Sequence, residues 1–151
     1  MCYEVRHGDF LISTDPALVD VEAVHEFLSK SYWATGITRE QVATALRNSI
    51  PFSVYLDGSQ IGDARAITDR ATFAYLADVY IDEDYRGRGL GKALVDAAIH
   101  HPDLRRLRRW MLGTRDAHGL YSQFGFIPLE EPERWMELPD PNAYAAASSQ
   151  A

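Results

Sequence analysis

The run Arg86-Gly87-Arg88-Gly89-Leu90-Gly91, followed by Lys92, carries the densest candidate chemistry in the chain. It joins an apolar stretch, Thr72 to Asp82, to a stripe of Leu90, Leu94, Val95, Ala98 and Ile99 at helical spacing. A strand that enters a glycine-rich turn and then a helix is a device for holding phosphate. Glycines let the backbone approach closely, successive N–H groups point inward, and the helix dipole favours negative charge. Gly87, Gly89 and Gly91 supply the flexibility here, while Arg86, Arg88 and Lys92 supply positive charge. The competing reading is an ordinary glycine turn. Two nucleotide motifs are excluded by spacing. A Walker A loop would need glycine at position 86 and Ser or Thr at 93, where Arg86 and Ala93 stand. A dinucleotide fingerprint starting at Gly87 would place its third glycine on Lys92, and Arg108 and Arg109 occupy the place of its acidic residue.

Asp78 lies within Tyr75-Leu76-Ala77-Asp78-Val79-Tyr80-Ile81. Strand alternation puts it beside Leu76 and Tyr80, where an apolar setting would raise its pKa towards useful base strength. The alternative is a buried Asp satisfied by backbone N–H groups at a strand irregularity. Arg105-Arg106-Leu107-Arg108-Arg109 reads as a solvated connection or as a phosphate contact. His100 and His101 end a helix and receive no catalytic role, and no histidine has a second ligand at metal-binding spacing. No metal is expected.

These residues need a scaffold. Tyr3 to Thr14 reads as a strand or short hairpin turning at His7-Gly8-Asp9. Asp15-Pro16 is an N-cap signal for a helix to about Ser31, with Val21, Val24, His25 and Leu28 on one face. Tyr32 to Gly36 breaks it, and Thr38-Arg39-Glu40-Gln41 is a capping box opening a second helix to about Asn48. Ser53 to Leu56 and Gln60 to Thr68 form a hairpin about Asp57-Gly58. Thr72 to Asp82, apolar on both faces, is a central strand. After the glycine loop and its helix, Arg109 to Thr114 is a short strand. Asp116 caps a last helix through Tyr121 to Phe124, closed by Gly125. Phe126 to Leu129 and Trp135 to Leu138 are further strands. This order predicts an α/β (α+β) fold: a single mixed, largely antiparallel central sheet with helices on both faces and one parallel βαβ crossover. The domain spans 1–139, and 140–151 reads as a flexible C-terminal tail.

The 151 residues suit one domain, and 46% hydrophobic with 25% charged residues is ordinary globular composition. A net charge of −7 argues against a nucleic-acid partner. A lone Cys2 excludes an intrachain disulfide. The N-terminus lacks a signal-peptide core and no run approaches a bilayer span, so a cytoplasmic protein without a membrane partner is expected.

Arg86, Gly89 and Gly91 match the Arg/Gln-x-x-Gly-x-Gly/Ala hallmark of GNAT-type N-acetyltransferases. The stretch Tyr121-Ser122-Gln123-Phe124-Gly125-Phe126 resembles the Tyr-x-x-x-Gly-Phe ending of that superfamily's terminal helix. The resemblance covers about Tyr3 to Leu138. It implies acetyl-CoA as co-substrate, its pyrophosphate held by Arg86, Gly87, Arg88, Gly89, Leu90, Gly91 and Lys92. It implies a bulge near Val79 and Ile81, whose backbone N–H groups would hold the thioester carbonyl and pantetheine arm. It also implies Tyr121 close to the coenzyme sulfur, and direct acetyl transfer to an amine through a ternary complex.

That chemistry requires a neutral amine, a stabilised oxyanion and a donor to the leaving thiolate. A phenol with pKa near 10 stays protonated where a thiol with pKa near 8.5 ionises, which suits Tyr121 as that donor. Asp78 is the candidate base, with a water-mediated base as the alternative. By resemblance the acceptor pocket lies at the junction of the first two helices, which makes Tyr32, Trp33, Arg65 and Asp78 candidate acceptor residues. Asp116 stands where many relatives have an Asn that contacts the coenzyme, and helix capping is the other reading. The expected partner is a small-molecule or peptide amine, with a homodimer left open. A silent acyl-CoA-binding module and transfer of another acyl group are the competing functions.

Overall fold

The computed structural model describes residues 2–144. The first strands, β1 (Glu4–His7) and β2 (Phe10–Ser13), form the expected hairpin, with Gly8 at φ +59° in its turn. The Asp15-Pro16 signal yields only a single 3₁₀ turn, Pro16–Leu18. The Asp15 carboxylate accepts from the Ala17 N–H, Val19 then leaves helical geometry, and α1 (Val21–Lys30) begins afresh with Asp20 accepting from Ala23 N–H at 3.1 Å. The helix therefore starts later than the sequence suggests, because the second of two nearby caps wins. Thr38 and Gln41 close the capping box that opens α2 (Arg39–Arg47).

Strands β3 (Ile50–Leu56), β4 (Ser59–Thr68) and β5 (Phe73–Ile81) continue an antiparallel meander. Helix α3 (Leu90–Ile99) then crosses over to β6 (Arg109–Met111), which pairs parallel to β5. The result is a six-stranded sheet in the order β1-β2-β3-β4-β5-β6, mixed and largely antiparallel with one parallel crossover, as the element order predicts. Two expectations at its far edge do not hold. Pairing in β6 stops at Met111, and Phe126–Leu129 and Trp135–Leu138 form no strand. Pro128 and Pro139 lack the N–H that a ladder needs, and Pro132 starts a 3₁₀ turn, Pro132–Arg134. The last helix, α4 (His118–Ser122), is a short turn of helix.

Alternation along β3 separates two layers. Phe52 and Val54 are fully buried with Leu94 and Val95 of α3 in the main core. Ser53 faces the other way, where its hydroxyl donates to the buried Asp63 carboxylate at 2.7 Å. A second core, Val24, Leu28, Ile37, Val42 and Leu46, joins α1 to α2. Tyr144 packs against that cluster, so the start of the expected tail is anchored there, while 145–151 lie outside the described residues. Among the described residues no helix is long and apolar enough to cross a membrane.

Candidate functional site

The site is created by a defect in the sheet. Between β4 and β5 the register passes from Arg65–Ala77 to Asp63–Tyr80, so one strand spends an extra residue. That residue is Asp78, whose φ of +56° puts it in the left-handed region that Asp tolerates better than most side chains. On the other side of β5, pairing with β6 ends at Tyr75–Met111. Leu76 to Ile81 therefore have no strand ladder on that side. Sequence alternation ignored the bulge, and the bulge is why Asp78 does not simply sit beside Leu76 and Tyr80.

Just past β5 the chain makes a 3₁₀ turn, Glu83–Tyr85, and enters the glycine loop. Arg86 folds back, its Nε donating to the Ile81 carbonyl at 3.0 Å. Gly87 and Gly89 have φ of +78° and +77°, conformations strained for any side chain. Gly89 occupies the N-cap of α3 and offers no side chain to the first-turn amides. An uncapped helix N-terminus with glycine access is an anion-binding arrangement. His7, which the sequence placed only in a turn, donates its Nε2–H to the Arg88 carbonyl at 3.1 Å and braces the loop from β1. Its signal was invisible because the contact spans 81 positions.

A cavity of about 520 Å³ opens between the unpaired side of β5, this loop and α4. Val79, Ile81, Arg86, Gly87, Gly89, Leu90, Gly91, Trp33 and Tyr121 line it, which brings most of the expected site residues together. Arg88 and Lys92 do not line it. They are exposed, and the Arg88 guanidinium lies 5.5 Å from the Tyr85 ring centroid. A larger cleft, about 780 Å³, lies beside β6 and contains none of the loop.

Tyr121 is 8% exposed, and burial raises the pKa of its phenol. It therefore stays protonated through neutral pH and can donate. Asp116 lines the cavity but does not cap α4: Ala117 holds the cap position, and its N–H donates to the Thr114 hydroxyl oxygen at 3.0 Å. The helix starts one residue later than the sequence suggests, with no side-chain cap, which corrects the capping expectation for Asp116.

Asp78 has both oxygens engaged. Arg65 Nε donates to one at 2.6 Å and the Trp33 indole N–H donates to the other at 2.8 Å. The pair is largely buried, with the Asp78 side chain 10% exposed. The isolated carboxylate expected from an apolar strand is in fact a charge-balanced ion pair, because Arg65 on β4 lies across the bulge. Trp33 leans against Phe27, and Phe27 stacks on Tyr80 with ring centroids 3.9 Å apart. Tyr32 turns outward, packed edge-on against Trp33 and under the Arg115 guanidinium at 3.9 Å, and does not line the cavity. Phe27 was missed by sequence reasoning because it falls beside, not on, the apolar stripe of α1. At the end of β5, Asp82 is partly buried, which raises its carboxyl pKa while Arg86 opposes the shift.

A splayed mixed sheet, an uncapped glycine N-terminus and a buried tyrosine thus face one cavity suited to an anionic ligand. The sequence model of the Acetyltransferase (GNAT) family matches residues 18–126, and the chain belongs to that family. A protein described as an acetyltransferase of the GNAT family, from Xanthomonas campestris pv. campestris, has a crystal structure similar to this one. Its TM-score is 0.88 at 44% identity, covering 93% of this chain and 99% of that one. A Gibberella zeae protein named as an acetyltransferase is 36% identical over 140 residues, 77% of each chain. A Clostridium acetobutylicum structure, a predicted acetyltransferase solved with acetyl-CoA, shares the fold. Its TM-score is 0.62 at 15% identity, over 92% of this chain and 96% of that one.

Proposed function

We propose that this acetyltransferase uses acetyl-CoA and transfers the acetyl group directly to a primary amine within a ternary complex. The observation that carries the reading is the convergence of the glycine N-terminus of α3, the unpaired side of β5 and Tyr121 on one cavity. The coenzyme in the Clostridium acetobutylicum structure supports the choice of donor by fold analogy. In this reading the first-turn amides of α3 and the Gly87–Gly91 backbone hold the pyrophosphate. Backbone N–H groups at Val79 and Ile81 receive the pantetheine arm and the thioester carbonyl, and stabilise the oxyanion.

The amine nitrogen attacks the thioester carbon from the Trp33–Phe27 side. As the C–N bond forms and the C–S bond breaks, the Tyr121 hydroxyl donates its proton to the leaving sulfur. The nitrogen loses its proton to solvent. Asp78 is assigned a positioning role: it ties the Trp33 wall to the bulge by accepting from the indole N–H with one oxygen and from Arg65 with the other. The test is free-thiol release from acetyl-CoA across a panel of primary amines, with mass detection of the acetylated product. Amine-dependent thiol release is expected. Tight acetyl-CoA binding with no release over the whole panel would favour a silent binding module.

A further inference from the structure

One charged group beside the bulge has more donors than partners. Arg65 stands on β4 with its side chain 18% exposed. Only its Nε is committed, to Asp78 at 2.6 Å, and the other Asp78 oxygen accepts from the Trp33 indole. A guanidinium presents five N–H donors in a planar fork. Among the described residues the two Nη groups of Arg65 meet no acceptor. The other carboxyl within its electrostatic reach is Asp63, whose burial favours the neutral form. A second positive charge stands across the mouth: the Arg115 guanidinium lies 3.9 Å from the Tyr32 ring centroid and meets the Asp116 carboxylate only at 4.0 Å. Tyr32 in turn lies within electrostatic reach of Tyr121.

Around Arg65 the sheet carries an apolar shelf. Ile67 and Tyr75 stand directly opposite one another, two positions along from the Arg65–Ala77 pair, so all four side chains share a face. Ile67 is 41% exposed, Tyr75 37% and Trp33 40%. Scattered exposed apolar residues are ordinary, but these adjoin one another and a guanidinium with uncommitted donors. Trp33 belongs to two places at once, since it is bound to Asp78 and also lines the coenzyme cavity. Shelf and cavity therefore meet at the bulge. Asp78 is followed directly by Val79, whose N–H is among those assigned to the thioester, and consecutive Cα atoms lie about 3.8 Å apart. An acceptor that reaches from Arg65 to the reacting carbon must carry its anionic group close to its amine.

We infer, on the basis of the proposed acetyl transfer, that the acceptor is an α-amino acid with an aromatic or branched aliphatic side chain. Its carboxylate takes the two Nη groups of Arg65, and its side chain lies on the Trp33–Tyr75–Ile67 shelf. Its amine then points to the thioester. A peptide N-terminus has a neutral carbonyl in place of the carboxylate and makes the weaker contact. A simple alkylamine leaves the partly buried donors unpaired, which is the stronger basis for rejection.

L-Phenylalanine, L-phenylalaninamide and 2-phenylethylamine share one aromatic body and differ at the carboxyl position. Free-thiol release from acetyl-CoA compares them. The kcat/KM for L-phenylalanine should exceed that for 2-phenylethylamine by about 100-fold or more, the worth of two charge-assisted hydrogen bonds. Arg65→Lys keeps a cation beside Asp78 and removes the fork, so it should shrink that ratio to within about tenfold. A merely structural Arg65 would slow both acceptors alike and preserve the ratio, which would overturn the inference. So would an amide or amine acetylated as well as the amino acid. Should no amine release thiol, the acetyl-transfer proposal falls by itself, and calorimetric titration into the protein saturated with coenzyme A still decides the anion site. L-Phenylalanine should then bind the native chain about 100-fold more tightly than the Arg65→Lys variant. Absence of binding by both L-phenylalanine and L-leucine, or equal binding by the two proteins, would contradict it.

Discussion

Replacing Gly89 with valine separates the fold of the glycine loop from its use. Gly89 holds φ at +77°, where an L-residue costs about 1–2 kcal/mol and a β-branched one sits at the upper end. Space adds little to that cost: a Cβ built on Gly89 would lie 3.6 Å from His7 Nε2 and 3.8 Å from its Cε1, ordinary contact distances. The chain should therefore fold, with Tm lowered by roughly 2–8 °C at this size. Coenzyme binding should suffer far more. The branched side chain stands at the N-terminus of α3, between the first-turn amides and an approaching pyrophosphate. Losing two charge-assisted hydrogen bonds of about 1.5–3 kcal/mol each weakens binding by about 10²–10⁴-fold. Isothermal titration with acetyl-CoA, beside a melting curve for the same sample, reads both effects. A folded Gly89→Val variant that binds within about twofold of the native chain would refute the cradle.

Tyr121→Phe removes the phenol and keeps the ring that packs edge-on against Phe126. Turnover should fall about 10²–10⁴-fold while acetyl-CoA affinity stays within a fewfold, and equal turnover would remove Tyr121 from the mechanism. Asp78→Asn keeps one oxygen to accept from Arg65 or the Trp33 indole and tolerance of the left-handed backbone, whereas Asp78→Ala leaves both donors without an acceptor. The alanine variant should lose about 3–5 kcal/mol of stability, and the asparagine variant should retain much of its activity. Collapse of both rates to the same floor would restore Asp78 as a base. Gly62→Ala would bring a Cβ to 2.7 Å from Ile81 Cδ1 and 2.8 Å from the Tyr80 carbonyl, so it should destabilise by about 1–3 kcal/mol in denaturant melts.

Burial raises the Asp63 carboxyl pKa well above its ordinary value, so the folded chain keeps a proton that the unfolded chain releases near pH 3.9. Its contribution to stability is intact below that pH and declines by up to about 1.4 kcal/mol per unit as pH rises towards the folded pKa. Asp63→Asn should flatten this slope, so the variant should gain on the native chain as pH rises above about 4 towards the folded pKa. Parallel pH profiles would show that Asp63 is ionised in the fold.

The loop and its flanking elements were legible because local rules govern them. Gly87 and Gly89 announce positive φ and close approach, and the Thr38–Gln41 box fixes α2 by contacts within one turn. Contacts across the sheet were not legible. The bulge at Asp78 follows from the register between β4 and β5, and its partner Arg65 is 13 positions away. Alternation read on one strand could place Asp78 on a face but not see the guanidinium waiting there. The same blindness hid His7, and it produced strands at Phe126–Leu129 and Trp135–Leu138. Those segments have strand-like side chains, but their prolines and the short β6 edge deny them a ladder within the chain.

Two cavities compete for the coenzyme, and backbone amide shifts in a titration with acetyl-CoA distinguish them directly. Saturable perturbation of Val79, Gly87, Gly89, Leu90, Gly91 and Tyr121, with Arg109 to Met111 unmoved, is the predicted result. Perturbation centred on the β6 cleft, or none at the glycine loop, would contradict the assignment of the donor site.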